Sequence, residues 1–176
     1  VVRPGSASNE IYNMAKHYCD ATWEVVSSDG NKRTIACPSA ANPDGAVFVL
    51  NKPILEGNRK EDEPTIITLP GNGEDGYIQG TFPAVGIKAR NRFETTVGCL
   101  SRSDDCSVTF KLLYSIDGGP VQELGSWPQV QDKKIKRIEI DLTALAEKKV
   151  VFIFKVLNNG DSWEDRAFWF MPRILR

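Results

Sequence analysis

Phe93-Glu94-Thr95-Thr96-Val97-Gly98-Cys99 and Ser107-Val108-Thr109-Phe110-Lys111-Leu112-Leu113-Tyr114 stand on either side of a short polar stretch, residues 100–105. In the first, Phe93, Thr95, Val97 and Cys99 share one parity. In the second, Val108, Phe110, Leu112 and Tyr114 oppose Thr109, Lys111 and Leu113. Successive side chains of an extended chain point to opposite faces, so a period of two marks strands with one buried side. Val150-Val151-Phe152-Ile153-Phe154 and Phe168-Trp169-Phe170-Met171 are apolar on both parities. Strands covered on both faces read this way, which puts these two in the middle of their sheets.

Working outward, the same texture of short β-rich runs fills the chain after Trp23. Strands are expected near residues 22–27, 33–37, 46–50, 65–69, 77–82, 93–99, 107–114, 121–127, 135–141, 150–157 and 167–174. Asp29-Gly30, Asp44-Gly45, Asp117-Gly118-Gly119 and Asn159-Gly160 supply turn residues that tolerate positive φ. The expected architecture is all-β, a two-sheet antiparallel β-sandwich forming one domain over residues 1–176. One short N-terminal α-helix is expected at about 8–19, capped by Ser8 or Asn9, with Ile11, Met14, Ala15 and Tyr18 on its inward face. Residues 141–146 read as a helical turn begun by Asp141, and the charged stretch 56–63 as a surface loop.

The 176 residues suffice to bury roughly 70% of the unfolded surface around one core. With 22 basic and 23 acidic residues the formal charge is −1, and no basic block stands out. This argues against nucleic acid or an anionic membrane as the partner. No run approaches the ~20 apolar residues of a membrane span. The chain opens at Val1, which reads as a processed mature form or an excised domain. Four cysteines, Cys19, Cys37, Cys99 and Cys106, lack zinc-knuckle spacing. Of three possible connectivities, Cys19–Cys37 with Cys99–Cys106 is favoured, since the second pair brackets the loop between two strand patterns. Disulfides imply export, to the cell surface or beyond.

In the C-terminal half several elements occur in order: Ile78-Gln79-Gly80-Thr81-Phe82-Pro83, then Phe93 with Val97-Gly98-Cys99, then Val108, Phe110, Leu112 and Tyr114. Asp141-Leu142 follows, and then Gly160 with Asp165, Ala167, Trp169, Pro172 and Ile174. Over roughly residues 78–175 this resembles the NPCBM-type carbohydrate-binding modules. The resemblance implies a galactose-binding-like jelly roll, often appended to secreted glycosidases and surface proteins. Arg166 stands where those modules frequently carry His.

Sugar rings present apolar C–H faces fringed by hydroxyls, so their sites combine an aromatic platform with carboxylate, amide or guanidinium groups. The connection Asn158-Asn159-Gly160-Asp161-Ser162-Trp163-Glu164-Asp165-Arg166 has that mixture. Trp163 is read either as a ligand platform or as a lid over the core, with Asn159, Asp161, Glu164, Asp165 and Arg166 as candidate polar contacts. Trp127, before Pro128, is read either as a second rim aromatic or as a packing residue, whereas Trp23 and Trp169 sit in core patterns. Asp165 can equally pin its loop through backbone N–H groups. The resemblance also leaves room for a structural calcium ion, for which Glu61, Asp62, Glu63, Glu74, Asp75, Asp161 and Asp165 are the candidate acids.

No nucleophile elbow, Walker loop or zinc-protease motif is present, and His17 is the only histidine. The expectation is therefore not an enzyme but a carbohydrate-binding module, recognising a glycan at a loop end of the sandwich and joined to other domains of a larger surface protein. The alternative is a structural or adhesive sandwich of a surface protein or filament, with no small ligand.

Overall fold

The computed structural model describes residues 9–160 and 165–176. Almost every described element is a strand, in the order β1 Glu10–Asn13, β2 Thr22–Val26, β3 Lys32–Ile35, β4 Ala46–Leu50, β5 Ile54–Leu55, β6 Arg59–Lys60, β7 Thr65–Leu69 and β8 Tyr77–Thr81. Then follow β9 Val85–Gly86, β10 Arg92–Cys99, β11 Ser107–Ile116, β12 Gln122–Val130, β13 Lys136–Asp141, β14 Lys149–Asn158 and β15 Ala167–Leu175. One sheet runs β13-β10-β15-β7-β4, and the other β12-β11-β14-β8-β2-β3. β1 joins the first along the length of β15 that β7 leaves free, and β9 joins the second beside β14. All pairings are antiparallel, and β5 and β6 form a separate small hairpin.

The two runs that are apolar on both parities became β14 and β15, each with a hydrogen-bonded neighbour on both sides. Between the sheets, the Trp169 indole stacks on Phe154 at 4.2 Å and meets Phe110 edge-on at 5.1 Å. Phe82 and Phe93 pack on the same Phe154 ring. Such offset and edge-on pairs add roughly 0.5–1.5 kcal/mol each beyond the burial of area. Trp23 lies across Gly80, its register partner, where a Cβ would stand 2.6 Å from the indole. A second apolar cluster, Ala46, Leu55, Ile67, Leu69, Leu100 and Phe168, covers the outer face of the first sheet. This explains why β7 is buried on both faces.

The N-terminal helix is not formed. Residues 10–13 are a strand, and 14–20 are turns. After the strand, Asn13 opens a single turn: its carboxamide oxygen accepts the N–H of Lys16 at 3.0 Å and its carbonyl that of His17 at 3.2 Å. Met14 and Ala15 do point inward, but Ile11 is exposed. An isolated helix of this length is marginal in water, and the uncovered edge of β15 at 173–175 offers the backbone better partners. The turn at Thr143–Leu145 is one 3-10 turn, with the Asp141 carboxylate accepting the Thr143 N–H at 2.8 Å. Two disulfides join Cys19 to Cys37 and Cys99 to Cys106. Among the described residues no helix is long and apolar enough to cross a membrane.

Candidate functional site at the 99–106 loop

The loop inside the Cys99–Cys106 bridge turns from β10 of the first sheet to β11 of the second. The connection from β14 to β15 meets it at the same end. Asn159 donates its N–H to the Ser107 carbonyl at 3.0 Å and accepts the Thr109 hydroxyl at 3.0 Å. Arg166 accepts the Leu100 N–H on its carbonyl, and its guanidinium donates to the Ser103 hydroxyl at 3.2 Å and the Arg102 carbonyl at 3.0 Å. Asp165 is 2% exposed. One of its carboxylate oxygens accepts the Ser107 N–H at 2.9 Å, and the other has no partner among the described residues. Burial pushes this carboxyl up to about 6, against the opposing pull of the Ser107 bond.

The hairpin β5–β6 flanks the other side of the loop. Its three-residue tip, Glu56–Asn58, places Gly57 and Asn58 at φ of 77° and 60°. The tip was expected as surface, yet Glu56 is 2% exposed. Its carboxylate accepts the N–H groups of Cys99 at 3.1 Å and Asp132 at 2.6 Å and the Gln129 amide at 3.0 Å. Burial raises its pKa, those bonds oppose the shift, and the Asp132 charge adds to it. Ile54 accepts the Ser101 N–H on its carbonyl, and Leu55 bridges to Leu100. Hairpin and loop thus flank an open groove of about 450 Å³ lined by Ile54, Asn58, Lys60, Ser101 and Arg102.

The residues singled out from the sequence divide into three groups. Asn159, Asp165 and Arg166 come together at this end, but the Asp165 carboxylate faces inward and pins the start of β11. Trp127 is not at a loop rim: it sits three residues inside the edge strand β12, opposite Phe110, half-buried against the core with its ring over Gly125. Asp161, Trp163 and Glu164 lie outside the described residues. Of the calcium candidates, Glu61 is ion-paired with Arg59 at 2.6 Å, and among the described residues no three Asp, Glu, His or Cys side chains converge. His17 meets Asp20 at 2.8 Å and stacks on Tyr12. The groove residues carried no sequence signal, because positions 54–60 and 101–102 meet only through the fold. On the outer face of the second sheet, Tyr77 is already covered by the Lys155 ammonium, 4.0 Å from its centroid.

Two solved structures align with this chain over nearly its whole length. The carbohydrate-binding module TmCBM61, in complex with beta-1,4-galactotriose, matches with a TM-score of 0.53 and 14% identity, covering 100% of this chain and 97% of that one. CBM51 from Clostridium perfringens GH95, in complex with methyl-galactose, matches with a TM-score of 0.51 and 15% identity, covering 94% and 99%. The chain shares its β-sandwich fold with these two modules. No family model matches the sequence, and no curated protein does.

Proposed function

We propose that this chain is an extracytoplasmic carbohydrate-binding module that holds a glycan at the 99–106 end of the sandwich without catalysis. The observation that carries the reading is the groove between the β5–β6 hairpin and the disulfide-closed loop, where the exposed Ile54 side chain lies beside the amide of Asn58, the hydroxyl of Ser101 and two cations. That is the apolar-plus-polar mixture a sugar face requires. Arg166 supports its wall, and Asn159, Asp161, Trp163 and Glu164 belong to the adjoining connection, with Trp163 as the stacking platform. Asp165 serves from beneath, as the anchor of that connection, and Trp127 serves the core.

The fold shared with TmCBM61 and CBM51 supports the class of ligand, since both were solved with galactose-type sugars bound. Two disulfides suit a secreted or surface protein, with other domains of a larger polypeptide as neighbours. A shallow site of this kind binds at roughly micromolar to millimolar Kd, because little area is buried and hydroxyls must be desolvated. A glycan array followed by calorimetric titration tests the reading. Saturable binding in that range, weakened by Asn58→Ala, supports it. No binding to any glycan leaves a structural sandwich.

A further inference from the structure

Among the described residues, the groove's charged lining is cationic. Lys60 stands opposite Ile54 on the hairpin, and Arg102 faces it from the disulfide-closed loop. Both are exposed, and among the described residues neither has a carboxylate partner. Their surroundings make this notable: Arg59, next to Lys60, is held by Glu61. Asp104 and Asp105, further along the loop, do not line the groove. Arg166 directs two of its five N–H groups to Ser103 and the Arg102 carbonyl and keeps its charge, adding a third cation behind the wall.

The neutral lining points the same way. The Ser101 hydroxyl donates to the Asn58 carboxamide oxygen at 2.6 Å, which occupies one lone pair of that oxygen and leaves the two Asn58 amide N–H groups as donors. An ammonium, a guanidinium and an amide therefore offer donors from both walls. Arg102 is also held in place: its φ is 67°, its carbonyl is gripped by Arg166, and its loop is closed by a disulfide. This fixes the backbone from which the guanidinium extends, while the exposed side chain itself keeps its rotamer freedom.

We infer that the groove takes an anionic sugar, with Lys60 and Arg102 receiving its carboxylate or sulfate while Ile54 lies under the ring. The inference rests on the glycan-binding reading and narrows it. Guanidinium meets planar oxyanions with paired N–H bonds, whereas Lys acts as a point charge.

The test is calorimetric titration of the whole chain with three probes of similar length: oligogalacturonate, a sulfated galacto-oligosaccharide and neutral beta-1,4-galactotriose. At about 50 mM salt at least one anionic probe should bind roughly tenfold more tightly than the neutral one, and raising salt to about 300 mM should erase most of that margin. The sulfated and uronate arms identify which anion the groove prefers. Lys60→Gln with Arg102→Gln should remove the margin of anionic over neutral probe, whatever it does to neutral binding, and leave the melting temperature within about 2 °C. Restoring charge with Lys60→Arg and Arg102→Lys should recover part of it. If the neutral probe binds as tightly as both anions, or the neutral variants keep the margin, the anionic assignment is wrong while glycan binding stands. If no probe and no arrayed glycan binds, both fall.

Discussion

Asp165 accepts the backbone N–H of Ser107 at 2.9 Å and thereby ties the start of β15 to the start of β11, with its second carboxylate oxygen buried and unpartnered among the described residues. Its carboxyl is raised by burial from 3.8 to about 6. A carboxyl raised on folding binds more protons in the folded state than in the unfolded state between those two values. Its contribution is therefore complete below about pH 4 and is lost as pH rises through about 6. The shift amounts to a term on the order of 3 kcal/mol. Urea denaturation of wild type and Asp165→Asn at intervals from pH 4 to 7 isolates it. Stability of wild type relative to the variant should fall by about that amount as pH rises, and a difference that stays constant with pH would show that Asp165 does not titrate this way.

Glu56 is the second buried carboxylate, and it fixes the hairpin that forms one wall of the groove. Removing it leaves the Cys99 and Asp132 N–H groups without their acceptor, each at a cost of roughly 1–3 kcal/mol, while the Gln129 amide keeps the Lys134 carbonyl at 2.9 Å. Glu56→Ala should thus lose about 3 kcal/mol or more in denaturant melts and weaken glycan binding together with it. A loss under about 1 kcal/mol would mean that the loop residues find other partners.

The sandwich was legible wherever period and burial coincide. Val108, Phe110 and Leu112 alternate because β11 has one buried side, and Trp169 stands in a two-sided apolar run because β15 is central. The local cysteine pairs were legible from their spacing. The segment 8–19 misled because Ile11, Met14, Ala15 and Tyr18 fit a helical face, while the deciding partner, the free edge of β15, lies more than 150 positions away. Glu56 misled for a related reason: a Glu in a charged run reads as solvated until Cys99, Gln129 and Asp132 are brought around it. The groove itself is a product of topology, and its cations look like ordinary surface charges in the linear chain.

The Cys99–Cys106 bridge holds the loop that presents Ser101 and Arg102. Closing so short a loop is worth about 2.5 kcal/mol in the chain-entropy model, and the Cys19–Cys37 loop about 3 kcal/mol. Replacing Cys99 and Cys106 by Ser together should lower stability by up to that amount and weaken glycan binding more than the corresponding change at Cys19 and Cys37, which lies outside the groove. Peptide mapping without reductant should return these two pairs. Equal effects on binding from both double variants would show that the loop's closure does not shape the site.

Trp127 and Trp163 separate the packing role from the platform role. Trp127 packs against the core from an edge strand, over Gly125 and opposite Phe110. Truncation of a fully buried Trp costs roughly 3–5 kcal/mol. For this half-buried ring Trp127→Ala should cost about 2 kcal/mol and leave the Kd for glycan nearly unchanged. In the sequence Trp163 stands among polar neighbours from Asn158 to Arg166. As a platform it contributes mainly to the complex, so Trp163→Ala should abolish binding while stability stays within about 1 kcal/mol of wild type. Paired calorimetric titrations and denaturant melts of the two variants read both quantities. A Trp163→Ala protein that binds normally but is strongly destabilised would make Trp163 a lid over the core and restrict glycan recognition to the groove residues.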